Sequence, residues 1–314
     1  MEQNEINETI NQAVIGHDSI MITPAQSNVG GTPPPTIKET LPAKEVSCPT
    51  CAGGAGAMPM NYVYALGRIE PRFPRLSVEK EVAQIIGRTD TSGLTDREAL
   101  YKVISESQNR YLARQLCYVL TIEGLETYIL QPRDPRDFDQ LVEATRPVPS
   151  PLDIDVVIGI RGSIALPDMC NGLMIPIVAF DQIYSFDRDS LIKSIPRPKD
   201  AKENEFKLAA EEVFMKIMQL ADNAGTTDEH RALNYCACRY PAIYEKTCEY
   251  HGCNYALTAI EVRPSRLSGI RKIVDVICCY THRQTDITEK CFCRVDVTEE
   301  FPFLVTKMSP YYDR

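Results

Sequence analysis

Apolar positions change their spacing several times along this chain, and each change predicts an element. "MNYVYAL", Met60 to Leu66, is short and rich in β-formers and predicts a strand. In "LTDREALYKVISES", Leu100, Val103 and Ile104 share one helical face, and Thr95 with Glu98 three residues later spells a capping box. Two apolar runs, Cys117 to Ile122 and Leu125 to Leu130, flank Glu123-Gly124 and predict a hairpin. "PRDFDQLVEAT" predicts a short helix. "DIDVVIGIRGSI" reads as a strand whose nearly continuous apolar centre calls for cover on both faces, and "NGLMIPIVAFDQIYSFD" reads as a second strand.

The strongest helical period lies in "NEFKLAAEEVFMKIMQLADNAG". There Phe206, Ala210, Val213, Phe214, Ile217 and Ala221 recur at three and four, and Gly225 is the expected stop. More helix is expected from a capping box in "TTDE", Thr226 to Glu229. After it the period becomes two: "ALTAIEVRPSRL", "IRKIVDVICCYTHR" and "EKCFCRVDVTEEFPFLV" predict an antiparallel meander. Strands thus flank a central helical block, which predicts an α+β fold with antiparallel sheets in a single compact domain over residues 47–314. Residues 1–46, with "GGTPPPT" at Gly30 to Thr36, show no sustained apolar period and predict a disordered polar arm.

Composition narrows the partners. With 314 residues, 44% of them hydrophobic, the chain can bury a large core. A formal charge of −9 supplies no overall basic field, so neither nucleic acid nor an anionic membrane is an expected partner. No apolar stretch approaches the ~20 residues of a membrane helix. The start, "MEQNEINETINQ", is polar and acidic rather than a basic flank before an apolar core, and the expected location is the cytoplasm. A reducing compartment turns the 12 cysteines toward metal binding or packing.

Candidate chemistry is sparse. There is no Gly-x-Ser-x-Gly elbow, no His-Glu-x-x-His and no phosphate-binding glycine loop, so no catalytic residue is nominated. Cys48 and Cys51 form a Cys-x-x-Cys turn, which can supply half of a tetrahedral thiolate site. A redox pair would need a helix after the turn to lower a thiol pKa, and a Gly/Ala run follows instead. Cys248, His251 and Cys253, with Cys291 and Cys293 on one strand face, have the types for a second metal site; their apolar strand contexts favour plain packing. Two basic clusters, Arg68, Arg72 and Arg75, then Arg263, Arg266, Arg271 and Lys272, read as solvated loops or as guanidinium forks for an acidic peptide or partner, with Arg68, Arg72, Arg263 and Arg266 as the binding candidates. The aromatic ending "FPFLVTKMSPYYDR" is expected to dock on the core.

Longer stretches carry a more specific signal. "CPTC", "YVYALGRIEPRFP", "RQLCYVLTIEGLETYILQPRDP", "DVVIGIRG", "MCNGLMIPIVAFDQIYSFD", "ADNAGTTDEHRALNY", "IEVRPSRLSGIRKIVDV" and "VDVTEEFPFLVTKMSPYYDR" resemble the C-terminal domain of unknown function of cyanobactin maturation proteases of the PatA/PatG type, from about Cys48 to Arg314. The resemblance implies a place in the biosynthesis of ribosomally made, post-translationally modified cyclic peptides, where subtilisin-like domains cut and macrocyclise a precursor. An arm of residues 1–46 is too short for a subtilisin-like or flavin oxidase domain, so protease and cyclase activity are not carried over. The expectation is a free-standing, non-catalytic accessory or scaffold domain that binds a precursor peptide or a cyanobactin maturation enzyme, with a homodimer as a further expectation. The alternative is a zinc-dependent peptide-tailoring enzyme. Within the resembling stretches the remaining cysteines are Cys117 and Cys170, which with Cys48 and Cys51 would complete a structural four-thiolate zinc site.

Overall fold

Successive residues of strand β1, Tyr62–Arg72, enter two different cores, and the architecture follows from that. Val63, Ala65 and Ile69 face one core, and Tyr64 and Leu66 face the other. The structure, a computed structural model, describes residues 60–89, 91–147, 154–186, 203–218 and 223–312. The expected arm, residues 1–46, lies outside them.

The first core is a closed barrel. β2 (Cys117–Ile122), β3 (Leu125–Pro132), β4 (Ile154–Ile164) and β5 (Pro176–Phe186) join β1 in the order β1-β2-β3-β5-β4. All neighbours are antiparallel except β3 and β5, which run parallel with Ile129 opposite Ile177. The β1–β2 connection holds α1 (Leu76–Ile86), α2 (Asp96–Ser105) and α3 (Arg110–Ala113), and α4 (Phe138–Ala144) separates β3 from β4. Leu141, Val142 and Ala144 of α4, with Val78, Ile104 and Ala113, close the barrel interior. This strand order, with a helix between the third and fourth strands, is the topology of an OB-type barrel. A function does not follow from it.

Two local expectations hold in the barrel. Glu123 and Gly124 both take positive φ, 49° and 82°, as the type I′ turn of a two-residue hairpin requires. Thr95 and Glu98 form the reciprocal capping box of α2.

The second core lies between the barrel wall and another sheet. α5 (Glu203–Met218), α6 (Asp228–Arg239) and α7 (Ala242–Gly252) precede the antiparallel meander β6 (Tyr255–Pro264), β7 (Ile273–His282), β8 (Thr288–Asp296) and β9 (Phe303–Pro310). The helices bury Phe206, Val213, Leu233 and Ile243 against Tyr64, Ile154 and Val156 of the barrel and Val274, Val276 and Val295 of the sheet. The fold is α+β, with two mostly antiparallel sheets. β4 shows why its centre is apolar on both faces: Ile154, Val156 and Ile158 serve the second core and Val157 the first, while Arg161 to Ile164 run out to solvent.

Two expectations at the helices need correction. Gly225 lies beyond the helix, after the non-helical Asn223 and Ala224, and its role is close approach. With φ 69°, its carbonyl accepts the Tyr64 N–H at 2.9 Å, and a Cβ here would sit 2.3 Å from the Tyr64 oxygen. Thr227, one residue later than expected, caps α6 by accepting the His230 N–H at 3.1 Å; the third helical residue is His230, so no box forms.

Polar side chains of α6 fasten the layers. Asn234 donates to the Tyr64 carbonyl at 2.7 Å and exchanges amide hydrogen bonds with Asn223. Arg231, only 2% exposed, donates to the carbonyls of Val297 at 2.7 Å, Glu300 at 3.2 Å and Glu299, with its guanidinium 5.1 Å from the Tyr62 ring. Among the described residues no helix is long and apolar enough to cross a membrane.

Candidate functional site

Strand alternation sorts the C-terminal sheet into two faces. Val274, Val276, Cys278 and Tyr280 of β7, with Cys291, Cys293 and Val295 of β8, meet the helices. The residues between them point outward, and register aligns them: Arg263 of β6 stands opposite Asp275 of β7, which stands opposite Arg294 of β8. A second row places Glu261 beside Ile277 and Phe292.

Side chains knit this outer face. Arg294 Nε donates to Asp275 Oδ1 at 3.0 Å and to Ser265 Oγ at 3.3 Å, with its guanidinium 4.7 Å from the Phe292 ring. Beyond β9, Tyr311 meets Phe292 edge-on at 5.3 Å and lies under the Arg263 guanidinium at 5.0 Å, which also donates to its hydroxyl. The Tyr311 N–H is held by the Lys290 carbonyl at 2.8 Å. The result is a groove of 610 Å³ walled by Arg263, Arg266, Arg294, Phe292, Tyr311 and Tyr312, with Asp275 the one carboxylate among the described residues that line it. A second hollow of 490 Å³ continues past Tyr311 and Tyr312 to Glu289 and Lys290. Guanidiniums beside aromatic faces, in surplus over carboxylates, suit a ligand that is both anionic and flat.

The structure gives the predicted residues different fates. Arg263 and Arg266 line the groove together. Arg271 is paired with Asp296, and Lys272 with Asp228 at 3.1 Å. Arg68 and Arg72 sit on barrel strand β1, where Arg72 is held by Glu126 at 2.6 Å. Sequence reasoning missed Arg294, Asp275 and Phe292, because an outward residue in a meander strand carries no local mark of its cross-strand partner. The ending pairs β9 with β8 and packs Leu304 and Met308 on the second core, whereas Phe301, Phe303 and Tyr312, expected to dock there, are exposed.

The cysteines separate in the same way. Cys236, Cys238, Cys248, Cys278, Cys291 and Cys293 are members of the second core, as the packing reading expects, and Cys253 is exposed. Cys236 and Cys293 lie 3.7 Å apart within that core. His251 Nε2 is 2.6 Å from Glu212, and no group of three or more His, Cys, Asp or Glu side chains is placed to hold a metal ion among the described residues. Cys48 and Cys51 lie outside the described residues.

Cys117 and Cys170, 53 residues apart in sequence, do come together. Cys117 opens β2 on the barrel's outer face and Cys170 lies in the β4–β5 connection, which folds over that face with Ala165, Met169 and Leu173 packed on Val119 and Ile129. The two thiols interact, and the Cys117 thiol also reaches the Met169 carbonyl at 3.3 Å. Burial, first, pushes both thiols up from their ordinary range. A bound divalent cation would reverse that, since a coordinating thiol is deprotonated outright. The adjoining hollow of 520 Å³, between Arg114, Phe138 and Met169, is walled mainly by aliphatic residues with one cation and offers little polar recognition.

Every groove residue except Tyr312 falls within one segment of the chain that known proteins share. Residues 200–311 match the PatG C-terminal family model. The PatG match thus begins with the helices of the second core and ends at Tyr311, leaving the barrel outside it. A solved structure titled "PatG Domain of Unknown Function" superposes with a TM-score of 0.66 at 18% identity, over 80% of this chain and 99% of its own length. At that identity the likeness shows the fold, and its extent reaches beyond the matched segment into the barrel. No curated protein matches the chain.

Proposed function

We propose that the chain is a non-catalytic accessory domain of cyanobactin-type peptide maturation, and that it holds a precursor peptide or a maturation enzyme in the groove of the C-terminal sheet. The observation that carries this reading is the gathering of Arg263, Arg266 and Arg294 around Asp275, beside Phe292 and Tyr311, inside the PatG-matching segment. Forked guanidiniums bind carboxylates with two parallel hydrogen bonds, and the aromatic faces add contact area at small entropic cost. The test is fluorescence anisotropy with a labelled acidic precursor-like peptide, with mass spectrometry of the recovered peptide. Binding that Arg263→Ala and Arg266→Ala each weaken about tenfold, with no mass change, supports the reading. Binding indifferent to both substitutions, or a shifted peptide mass, overturns it.

The zinc reading keeps a specific support, because two of its four thiols meet under the β4–β5 connection. We infer that Cys117 and Cys170 are thiolate ligands of a structural zinc. A structural zinc closed by protein ligands leaves no open position for a substrate and does no chemistry. Elemental mass spectrometry decides: about one zinc per chain, lost in Cys117→Ser and in Cys170→Ser alike, is the expected outcome. A metal-free wild type sinks it.

A further inference from the structure

The groove holds an aromatic side chain of its own. Tyr311 presents its ring to the edge of Phe292 at 5.3 Å and to the Arg263 guanidinium at 5.0 Å, while its hydroxyl takes a hydrogen bond from Arg263. Two of the three arginines are therefore engaged within the chain, Arg263 with Tyr311 and Arg294 with Asp275 and Ser265. Arg266 is different. It lies on the exposed turn after β6, lines the same groove, and has no ion-pair or hydrogen-bond partner among the described residues. Next to it Tyr312, 79% exposed, lines both this groove and its continuation and leaves its ring available for stacking.

Resting on the reading of this groove as a peptide site, we propose that its ligand is a peptide segment in which an aromatic side chain adjoins a carboxylate. The carboxylate pairs with Arg266, and the aromatic ring takes the place between Phe292 and Arg263 that Tyr311 fills in this structure. Three features support this choice of occupant. Among the described residues that line it, the groove sets three guanidiniums against one carboxylate, a surplus of positive charge. Its unengaged cation is a fork suited to two-point carboxylate binding. And the contacts around Tyr311, ring edge on one side and cation on the other, are those that any Tyr or Phe side chain can reproduce. A purely acidic peptide would leave the Phe292 face unused, and a purely aromatic one would leave Arg266 unpaired. Tyr311 is then a resident competitor, since a ligand ring must displace it.

The experiment uses three labelled peptides on the full chain, followed by anisotropy: Gly-Ser-Asp-Tyr-Gly-Ser, the same peptide with Asn for Asp, and the same peptide with Ala for Tyr. The Asp-Tyr peptide should bind at least about tenfold tighter than either variant. Arg266→Ala should remove the preference for Asp over Asn while leaving the preference for Tyr over Ala. Tyr311→Ala should tighten the Asp-Tyr peptide several-fold and leave the Asp-Ala peptide unchanged. Equal affinity for all three peptides, still weakened by Arg266→Ala, overturns the ligand class and leaves the peptide-binding groove standing. Weaker binding of the Asp-Tyr peptide to Tyr311→Ala makes Tyr311 a wall of the site and overturns its role as competitor. Binding of none of these peptides, and of no acidic precursor-like peptide, overturns the groove as a peptide site and this proposal with it.

Discussion

On the barrel, the outer face of β2 and β3 is closed by the chain itself: the β4–β5 connection lays Ala165, Cys170 and Leu173 over Cys117, Val119 and Ile129. On the C-terminal sheet, the outer face of β7 and β8 carries Asp275, Phe292 and Arg294 and keeps a groove of 610 Å³. Both are the second faces of sheets whose first faces are buried. The difference lies in what the alternate positions hold. Cys117 and Val119 on the outer face of β2 demand cover, and the chain supplies it; Phe292 and Arg294 on the outer face of β8 satisfy their neighbours sideways and tolerate water. An OB-type barrel commonly binds ligands on its β2–β3 face, which is the face that the β4–β5 connection covers here.

Three substitutions probe how far the two regions depend on each other. The largest effect is expected from Arg231→Met, which leaves the carbonyls of Val297, Glu299 and Glu300 without their buried donor. Three unsatisfied carbonyls should cost about 3–5 kcal/mol, read as a lower denaturant midpoint. A loss under about 1 kcal/mol would mean that the β8–β9 loop finds other partners and that the regions are joined mainly by apolar packing.

The second probe is pH. Arg133, the residue after β3, holds both Asp181 of β5 and Glu300 of the β8–β9 loop, the latter at 3.1 Å, so one guanidinium serves two carboxylates across the joint. Burial, and next the neighbouring Asp181, push the Glu300 carboxyl up to about 7 against the pull of Arg133. An unfolded Glu ionises near ~4.3, so between these values the folded chain keeps a proton that the unfolded chain has released. The stabilisation from the neutral carboxyl is therefore complete below pH ~4.3 and is lost as pH rises through about 7. Thermal midpoints should fall from pH 5 to pH 8 in the wild type and fall clearly less in Glu300→Gln. An unchanged pH slope in the variant would remove Glu300 from the joint.

The smallest effect belongs to the barrel alone. Thr95→Ala removes the hydroxyl that accepts the Glu98 N–H, leaves the residue-95 N–H on the Glu98 carboxylate, and should cost about 1 kcal/mol in urea unfolding, with no change in groove affinity. A change in peptide binding would show that the barrel's inserted helices communicate with the sheet.

What could be read from sequence was local. The hairpin at Glu123-Gly124, the Thr95 box and the period-two meander each lie within a few residues of their own signal. Barrel closure was not legible, because it depends on β3 meeting β5 in parallel, Ile129 against Ile177, and no short-range pattern encodes a partner that distant. The cap of α6 was misplaced by one residue because Thr226 and Thr227 are chemically equivalent until the chain's path against Tyr64 is known. Of the site, Arg263 and Arg266 stood out as a basic cluster, whereas Asp275 and Arg294 became meaningful only through register across three strands.

The two-sided burial of β1 also sets how the molecule comes apart. Tyr64 and Leu66 belong to the same packed cluster as the helices and sheet of the PatG-matching segment, and Ile154, Val156 and Ile158 join them from β4. Excising residues 200–311 would strip this cluster of five barrel side chains and expose the helices that lean on them. Residues 55–314 accordingly form one compact unit. They should melt in a single cooperative transition, with the recognisable stretch of sequence unable to fold as a separate piece.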